Sequence, residues 1–131
     1  MILKYKTTPN NLKLYNIKKS ILITALLCTV IITAQSKYQT GMQKAFGLWE
    51  QGKMTAASQL FERVSKAEPT KWKPAYYAAT IEILESFGLK DETILKAKLT
   101  KAKELLDVAE SNSENNPEIM ITQALLNTAY I

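Results

Sequence analysis

Residues 45–69, AFGLWEQGKMTAASQLFERVSKAEP, decide the fold, because they predict two helices joined by a tight turn. Ahead of Gly52, apolar side chains recur at helical spacing over residues 38–49, and a glycine tolerates the left-handed backbone that ends a helix. Thr55 is the predicted N-cap of the second helix, whose apolar face is formed by Ala57, Leu60, Phe61 and Val64. A connection this short makes the two helices antiparallel neighbours.

Breaker and capping residues predict three further helices and no strands. Together with the first two, the five predicted helices of residues 35–131 are 37–51, 55–67, 74–87, 91–111 and 117–131. Gly52 and Gly88 are expected to end the first and third helices, and Asp91 to begin the fourth. Asn116 is the expected cap of the fifth, before Pro117. The third helix is expected to bury a stripe of Tyr77, Ile81 and Leu84. The fourth is expected to bury Leu95, Ala102, Leu106 and Ala109 and to turn Lys96, Lys98, Lys101 and Lys103 to solvent.

The first 34 residues predict a cleavable signal peptide. Lys18 and Lys19 precede SILITALLCTVIITA, an uncharged run that fits a signal-peptide core and is shorter than the about 20 residues of a membrane-spanning helix. TAQS follows, so we expect cleavage after Ala34. An uncleaved N-terminal anchor is the alternative. Cys28, the only cysteine, follows two leucines and is interpreted as one more apolar side chain rather than a lipid attachment site.

The net charge of +5 is confined to that N-terminal segment. Residues 1–34 carry five lysines and no acidic residue, whereas the other 12 basic residues are balanced by all 12 acidic ones. Residues 35–131 therefore have no basic excess, and we expect no nucleic-acid partner. They also contain no Cys or His for a disulfide or for thiolate or imidazole metal ligation. We expect a periplasmic or secreted protein without metal or cofactor, which contacts a membrane only if the signal segment stays uncleaved.

The spacing of the stretch that decides the fold resembles a tetratricopeptide repeat. The matching residues are Ala45, Leu48, Gly52, Ala57, Phe61, Val64 and Pro69. A looser second unit follows with Ala79, Ala102, Leu106 and Ala109, and a third unit begins with Ala124. The resemblance covers roughly residues 38–131. It implies an all-α fold of antiparallel helical hairpins stacked as a short right-handed solenoid, with about two and a half hairpins in a domain of residues 35–131.

The resemblance also implies a peptide-binding groove, because the first helix of each hairpin lines a concave face in that family. The matching positions are Gln39, Met42, Phe46, Trp49 and Glu50 in the first unit and Lys73, Tyr76, Thr80, Ile83 and Leu84 in the second. We expect Trp49, Tyr76 and Lys73 to make the main contacts, since aromatic residues are favoured in binding hot spots. Packing between hairpins is the alternative role of the aromatic residues.

The apolar side chains of the fifth predicted helix need a surface to pack against. Residues 117–131 contain nine apolar residues and one charge, Glu118. Leaving three large apolar side chains exposed forfeits roughly 5–9 kcal/mol. Two expectations follow: the chain is incomplete at its C-terminus, which is the preferred one, or this face docks on another chain, with self-association through Ile121 and Leu125.

Candidate catalytic groups are few. Glu82 and Glu85 are three residues apart and could form a carboxylate pair for acid/base chemistry, but a solvated helix face is the expected place for both. No glycine-rich phosphate loop exists, and we expect no enzymatic activity. The sequence predicts a non-catalytic protein-interaction or scaffold module acting outside the cytoplasm. The alternative is a structural or self-associating N-terminal fragment of a longer repeat protein.

Overall fold

The described part of the chain contains helices and no strands. The computed structural model describes residues 9–130, apart from the side chains of residues 9 and 28–36. Its helices are α1 (Pro9–Glu50), α2 (Met54–Ala67), α3 (Trp72–Ser86), α4 (Glu92–Ser111) and α5 (Pro117–Ala129). The predicted all-α class is confirmed for these residues. None of their helices combines the length and the apolarity needed to cross a membrane.

Two units share the chain, Met1–Lys37 and Tyr38–Ile131. Helix α1 begins at Pro9, whereas the sequence predicted a helix only from residue 37. The earlier start has a simple cause, since no proline or glycine lies between Pro9 and Gly41 to end a helix. The side chain of Ala34, the predicted cleavage residue, lies outside the described ones.

The predicted helix boundaries hold at most turns. Gly52 and Gly88 have φ values of 74° and 91°, so each supplies the left-handed backbone expected after a helix. The carboxylate of Asp91 accepts a hydrogen bond from the amide of Ile94 at 3.0 Å, and Asn116 caps α5 ahead of Pro117. The predicted cap at Thr55 is wrong. Helix α2 starts one residue earlier, and the Thr55 hydroxyl donates to the Glu85 carboxylate instead, at 3.2 Å.

Within Tyr38–Ile131 the buried side chains form two clusters. The first core cluster joins α1, α2 and α3 and consists of Met42, Ala45, Ala57, Phe61, Val64, Ala78 and Ile81. The second core cluster joins α3, α4 and α5 and consists of Ala75, Ala79, Ile83, Leu99, Ala102, Leu106, Ala109, Ile119 and Leu126. The alanines expected at matched points, Ala45 and Ala79, are both fully buried. A methyl group there lets neighbouring helix backbones approach closely.

Helix α3 lies between the two clusters, and this position overturns one prediction. Leu84 was expected in a buried stripe but is 42% exposed, whereas Ile83 is fully buried. A helix that contacts α2, α4 and α5 buries residues on more than one side, so a single stripe does not describe it.

Helix α5 buries one face and exposes another. Ile119, Thr122 and Leu126 are buried, and Leu125 packs in part against the second core cluster. Met120 is 63% exposed and Ile121 is 71% exposed. Ala124, which matches Ala45 and Ala79 in the repeat pattern, is also exposed.

Two glycines of α1 provide a matched pair for testing the packing against α2. A Cβ on Gly41 would lie 2.7 Å from a methyl carbon of the buried Val64, whereas a Cβ on Gly47 would meet nothing within 4 Å. We expect Gly41→Ala to lower the free energy of unfolding by about 1–2 kcal/mol through overpacking. Gly47→Ala is expected to raise it by about 1 kcal/mol through helix propensity. Urea unfolding measures both, and equal effects of the same sign would contradict the packing.

Candidate functional site

Five half-buried aromatic rings form a continuous row on α1 and α3, here called the aromatic strip. Its members, in spatial order, are Trp49, Phe46, Tyr77, Tyr76 and Trp72. Successive ring centroids are 6.4, 4.7, 5.1 and 5.4 Å apart. Three of these four contacts are edge-to-face, which is a favoured geometry for aromatic pairs. Phe61 of α2 lies beneath the row, fully buried, with its ring 5.4 Å from that of Tyr77.

Polar groups accompany the aromatic strip. The ammonium group of Lys73 lies 5.9 Å from the centre of the Trp72 ring, within cation–π range. Burial, together with the nearby charge of Glu118, raises the pKa of the Tyr77 hydroxyl, so this group remains a protonated donor at neutral pH. No hydrogen bond joins the hydroxyl of Tyr76 or Tyr77 to another described residue. The strip therefore combines apolar ring surface with hydrogen-bond donors that a ligand can use.

The structure brings some predicted groove residues together and separates others. Phe46, Trp49 and Tyr76 lie in the aromatic strip, and the exposed Lys73 lies beside it. Met42, at 7% exposed, belongs to the first core cluster and offers little surface to a ligand.

The other predicted groove positions differ in exposure and contacts. Gln39 and Glu50 are exposed, and Ile83 is fully buried. The half-buried Thr80 has its hydroxyl bonded to the Tyr76 carbonyl at 2.8 Å. Only part of the predicted set thus forms one continuous surface.

A group of charged and polar side chains, here called the ion cluster, was not predicted from the sequence. It joins α2, α3 and α4 through Ser58, Glu62, Glu82, Glu85, Lys98 and Lys101. The Glu82 carboxylate is its centre, since it accepts from the Ser58 hydroxyl at 2.7 Å and lies 3.0 Å from the Lys98 ammonium and 3.3 Å from that of Lys101. Lys98 also contacts Glu85 at 2.8 Å, and Lys101 contacts Glu62.

The expectation that Glu82 lies on a solvated face is wrong, because this residue is 4% exposed. The same correction applies to Lys98 and Lys101, which are only partly exposed and paired with carboxylates. A sequence signal for the cluster does exist. Glu82 and Glu85 are three residues apart on one helix, as are Lys98 and Lys101 on a neighbouring helix, so two facing rows of opposite charge can meet.

Burial and the neighbouring polar groups have opposite effects on the pKa of Glu82. Burial raises the pKa of the carboxyl group, but the hydrogen bonds from Ser58 and Lys98 and the positive charges of both lysines outweigh it. The pKa of Glu82 is therefore lowered from its ordinary value of 4.5. Ser58 is fully buried and Glu82 nearly so, and with Lys98 and Lys101 the Glu82 carboxylate links α2, α3 and α4.

Acid is expected to weaken the ion cluster. A carboxyl group with a lowered pKa in the folded state stabilises the fold above its ordinary pKa, here 4.5, and loses that contribution as the pH falls through the lowered value. The difference in free energy of unfolding between the wild type and Glu82→Gln, measured with urea, should therefore be largest at pH 7 and shrink as the pH falls below about 4.5. A difference that stays constant down to pH 3 would contradict this role for Glu82.

Among the described residues, no group of three or more His, Cys, Asp and Glu side chains is placed to hold a metal ion. Comparison of the chain with protein-family models, with curated proteins and with solved structures found no match. The aromatic strip is therefore the candidate functional site on its geometry and chemistry alone.

Proposed function

We propose that Tyr38–Ile131 is a non-catalytic protein-interaction module that acts outside the cytoplasm and binds an extended protein segment along the aromatic strip. The observation that carries the proposal is the continuous, half-exposed row of five rings. Aromatic residues supply a large contact area at low cost in conformational entropy, and they are enriched in binding hot spots. Lys73 and the hydroxyls of Tyr76 and Tyr77 add polar contacts that fix a ligand's position.

The proposal includes a tetratricopeptide-like arrangement of hairpins. Two matched pairs of buried alanines support it, namely Ala45 with Ala57 in the first core cluster and Ala79 with Ala102 in the second. In this arrangement α1 and α3 are the first helices of successive hairpins. The aromatic strip is drawn from these two helices, as the family's groove would be.

Tryptophan fluorescence offers a direct test of binding at the strip. Trp49 and Trp72 are the only tryptophans of the chain, and both lie in the aromatic strip, so their emission reports its occupancy. Phage-displayed random peptides would be selected on the full chain, and an enriched peptide titrated into it. We expect Tyr76→Ala, which keeps both reporters, to weaken binding about 30-fold, as for a hot-spot residue worth about 2 kcal/mol.

The matched controls are Phe87→Ala and Tyr130→Ala, because these aromatic side chains are 49% and 53% exposed and lie outside the strip. Both variants should bind the peptide as the wild type does. Failure to enrich any peptide, or equal binding to Tyr76→Ala and the controls, would count against the strip as the binding site. Circular dichroism of each variant checks that the helices are intact.

A second candidate function, self-association, is favoured by the exposed apolar face of α5. We propose that Ile121 contributes most to it, since it is 71% exposed, and that Leu125 contributes less because it packs in part on the second core cluster. Sedimentation of the full chain in a mild detergent tests this. Ile121→Glu should turn a dimer into a monomer, and Ile94→Glu, at a site 50% exposed on α4, should leave it dimeric. A monomeric wild type would end this alternative.

A further inference from the structure

The N-terminal part of α1 exposes apolar surface on every side. Large apolar side chains over residues 12–27 are 55–72% exposed; they are Leu12, Leu14, Tyr15, Ile17, Ile21, Leu22, Ile23, Leu26 and Leu27. Soluble proteins rarely leave a contiguous apolar surface of this extent in water, and such surfaces mark contacts with membranes or with other proteins.

Charge distinguishes between these two kinds of partner. Lys13, Lys18 and Lys19 are exposed in this helix, and residues 1–34 contain no acidic residue. A second copy of the helix would bring like charges together with no carboxylate to pair them. An anionic bilayer surface attracts such lysines.

The polar groups of the helix suit an apolar surrounding. In hydrocarbon each polar group needs a partner within the protein, and the Thr24 hydroxyl donates to the Ser20 carbonyl of its own helix at 2.9 Å. The ammonium group of Lys19 lies 5.7 Å from the centre of the Tyr15 ring. Tyrosine and lysine both prefer the level of the lipid headgroups, where an apolar body and a polar tip are accommodated together.

The placement of the lysines indicates how the helix meets the bilayer. At 3.6 residues per turn, Lys13, Lys18 and Lys19 point about 100–140° apart, so lysines lie on all sides of the helix up to residue 19, and residues 20–27 carry none. Beyond Lys19, Ile21, Leu22 and Ile23 expose apolar side chains in successive directions. This pattern fits burial of the apolar residues 20–27 in the hydrocarbon, with the lysines at the headgroups.

We propose that this helix inserts residues 20–27 into a bilayer that contains anionic lipid, with Lys13, Lys18 and Lys19 held at the phosphate groups. All of these residues precede Ala34, so the contact belongs to the chain before any cleavage there. The proposal does not depend on the aromatic strip and its ligand.

Vesicle flotation of the full chain tests the proposal. The vesicles would consist of phosphatidylcholine alone or mixed with phosphatidylglycerol. We expect the wild type to float with both and to bind the anionic vesicles more tightly, in a manner weakened by salt. Lys18→Gln with Lys19→Gln should weaken binding to anionic vesicles about 30-fold, the equivalent of about 1 kcal/mol for each lysine. Leu22→Asp with Leu26→Asp should abolish binding to both.

Matched double variants in Tyr38–Ile131 provide the controls. Lys90→Gln with Lys96→Gln removes the same charge from exposed positions, and Met120→Asp with Ile121→Asp places the same acids on an exposed apolar face. Both controls should float as the wild type does. The proposal is overturned if the wild type does not float, if lipid charge makes no difference, or if a control loses as much binding as its matched variant.

Discussion

Replacing Glu82 by alanine is expected to lower the free energy of unfolding by about 3 kcal/mol, at the lower end of the cost of breaking a buried ion pair. The change leaves the fully buried Ser58 hydroxyl without its acceptor and removes the carboxylate shared by Lys98 and Lys101. The cost stays at the lower end because both lysines reach water in part and keep Glu85 and Glu62 as partners. Urea unfolding at pH 7 measures the change.

Glu104→Ala is the matched control, since this glutamate lies on the exposed side of α4 and takes part in no ion pair with the described residues. Its effect should stay within about 0.5 kcal/mol, as for other surface substitutions. If Glu82→Ala were as mild as Glu104→Ala, the ion cluster would not be what holds α2, α3 and α4 together.

Phe61→Ala should have the largest effect of any single substitution considered for this chain, about 3–5 kcal/mol, which is the usual range for a truncated core aromatic. Phe61 is fully buried in α2, and its ring lies 5.1 Å from Phe46, 6.3 Å from Trp49 and 5.4 Å from Tyr77. Truncation leaves a cavity directly beneath the aromatic strip. We therefore expect tryptophan emission to change in the folded state as well, because Trp49 loses a neighbour.

The control for this substitution is Phe87→Ala, in which the same side chain is removed from a site that is 49% exposed. Thermal unfolding followed by circular dichroism compares the two variants. A similar loss of stability in both would mean that Phe61 does not form the floor of the strip.

Local sequence signals predicted the helical architecture well. Gly52 and Gly88 end helices with positive φ, and Asn116 caps α5 before Pro117, because these features depend on the backbone chemistry of a few residues. The resemblance to a repeat also predicted small residues at positions 45, 57, 79 and 102, and these four alanines are buried. Phe46, Trp49 and Tyr76 were chosen as surface residues, and they lie together in the aromatic strip.

Features set by neighbouring helices were missed. Glu82 looked solvent-facing because charged residues usually are, yet it lies on a helix packed against α2 and α4, whose Ser58, Lys98 and Lys101 compensate its burial. The prediction that one stripe of α3 is buried was also wrong at Leu84, because α3 packs against several helices and buries more than one side. The partners of Glu82 are 16 or more positions away in the chain, beyond the reach of a periodicity argument.

The fold depends on the close packing of antiparallel helices at small residues, and disulfide formation between α1 and α2 tests this packing most directly. A Cβ placed on Gly41 lies 3.9 Å from the Cβ of Val64, which falls within the about 3.5–4.5 Å that a disulfide requires. The test variant would carry Gly41→Cys, Val64→Cys and Cys28→Ser. The control would carry Gly47→Cys in place of Gly41→Cys, together with the same Val64→Cys and Cys28→Ser. Mass spectrometry under mild oxidation should find the first pair almost fully bonded and the control pair reduced. Two reduced pairs, or equal oxidation of both, would contradict the packing of these helices.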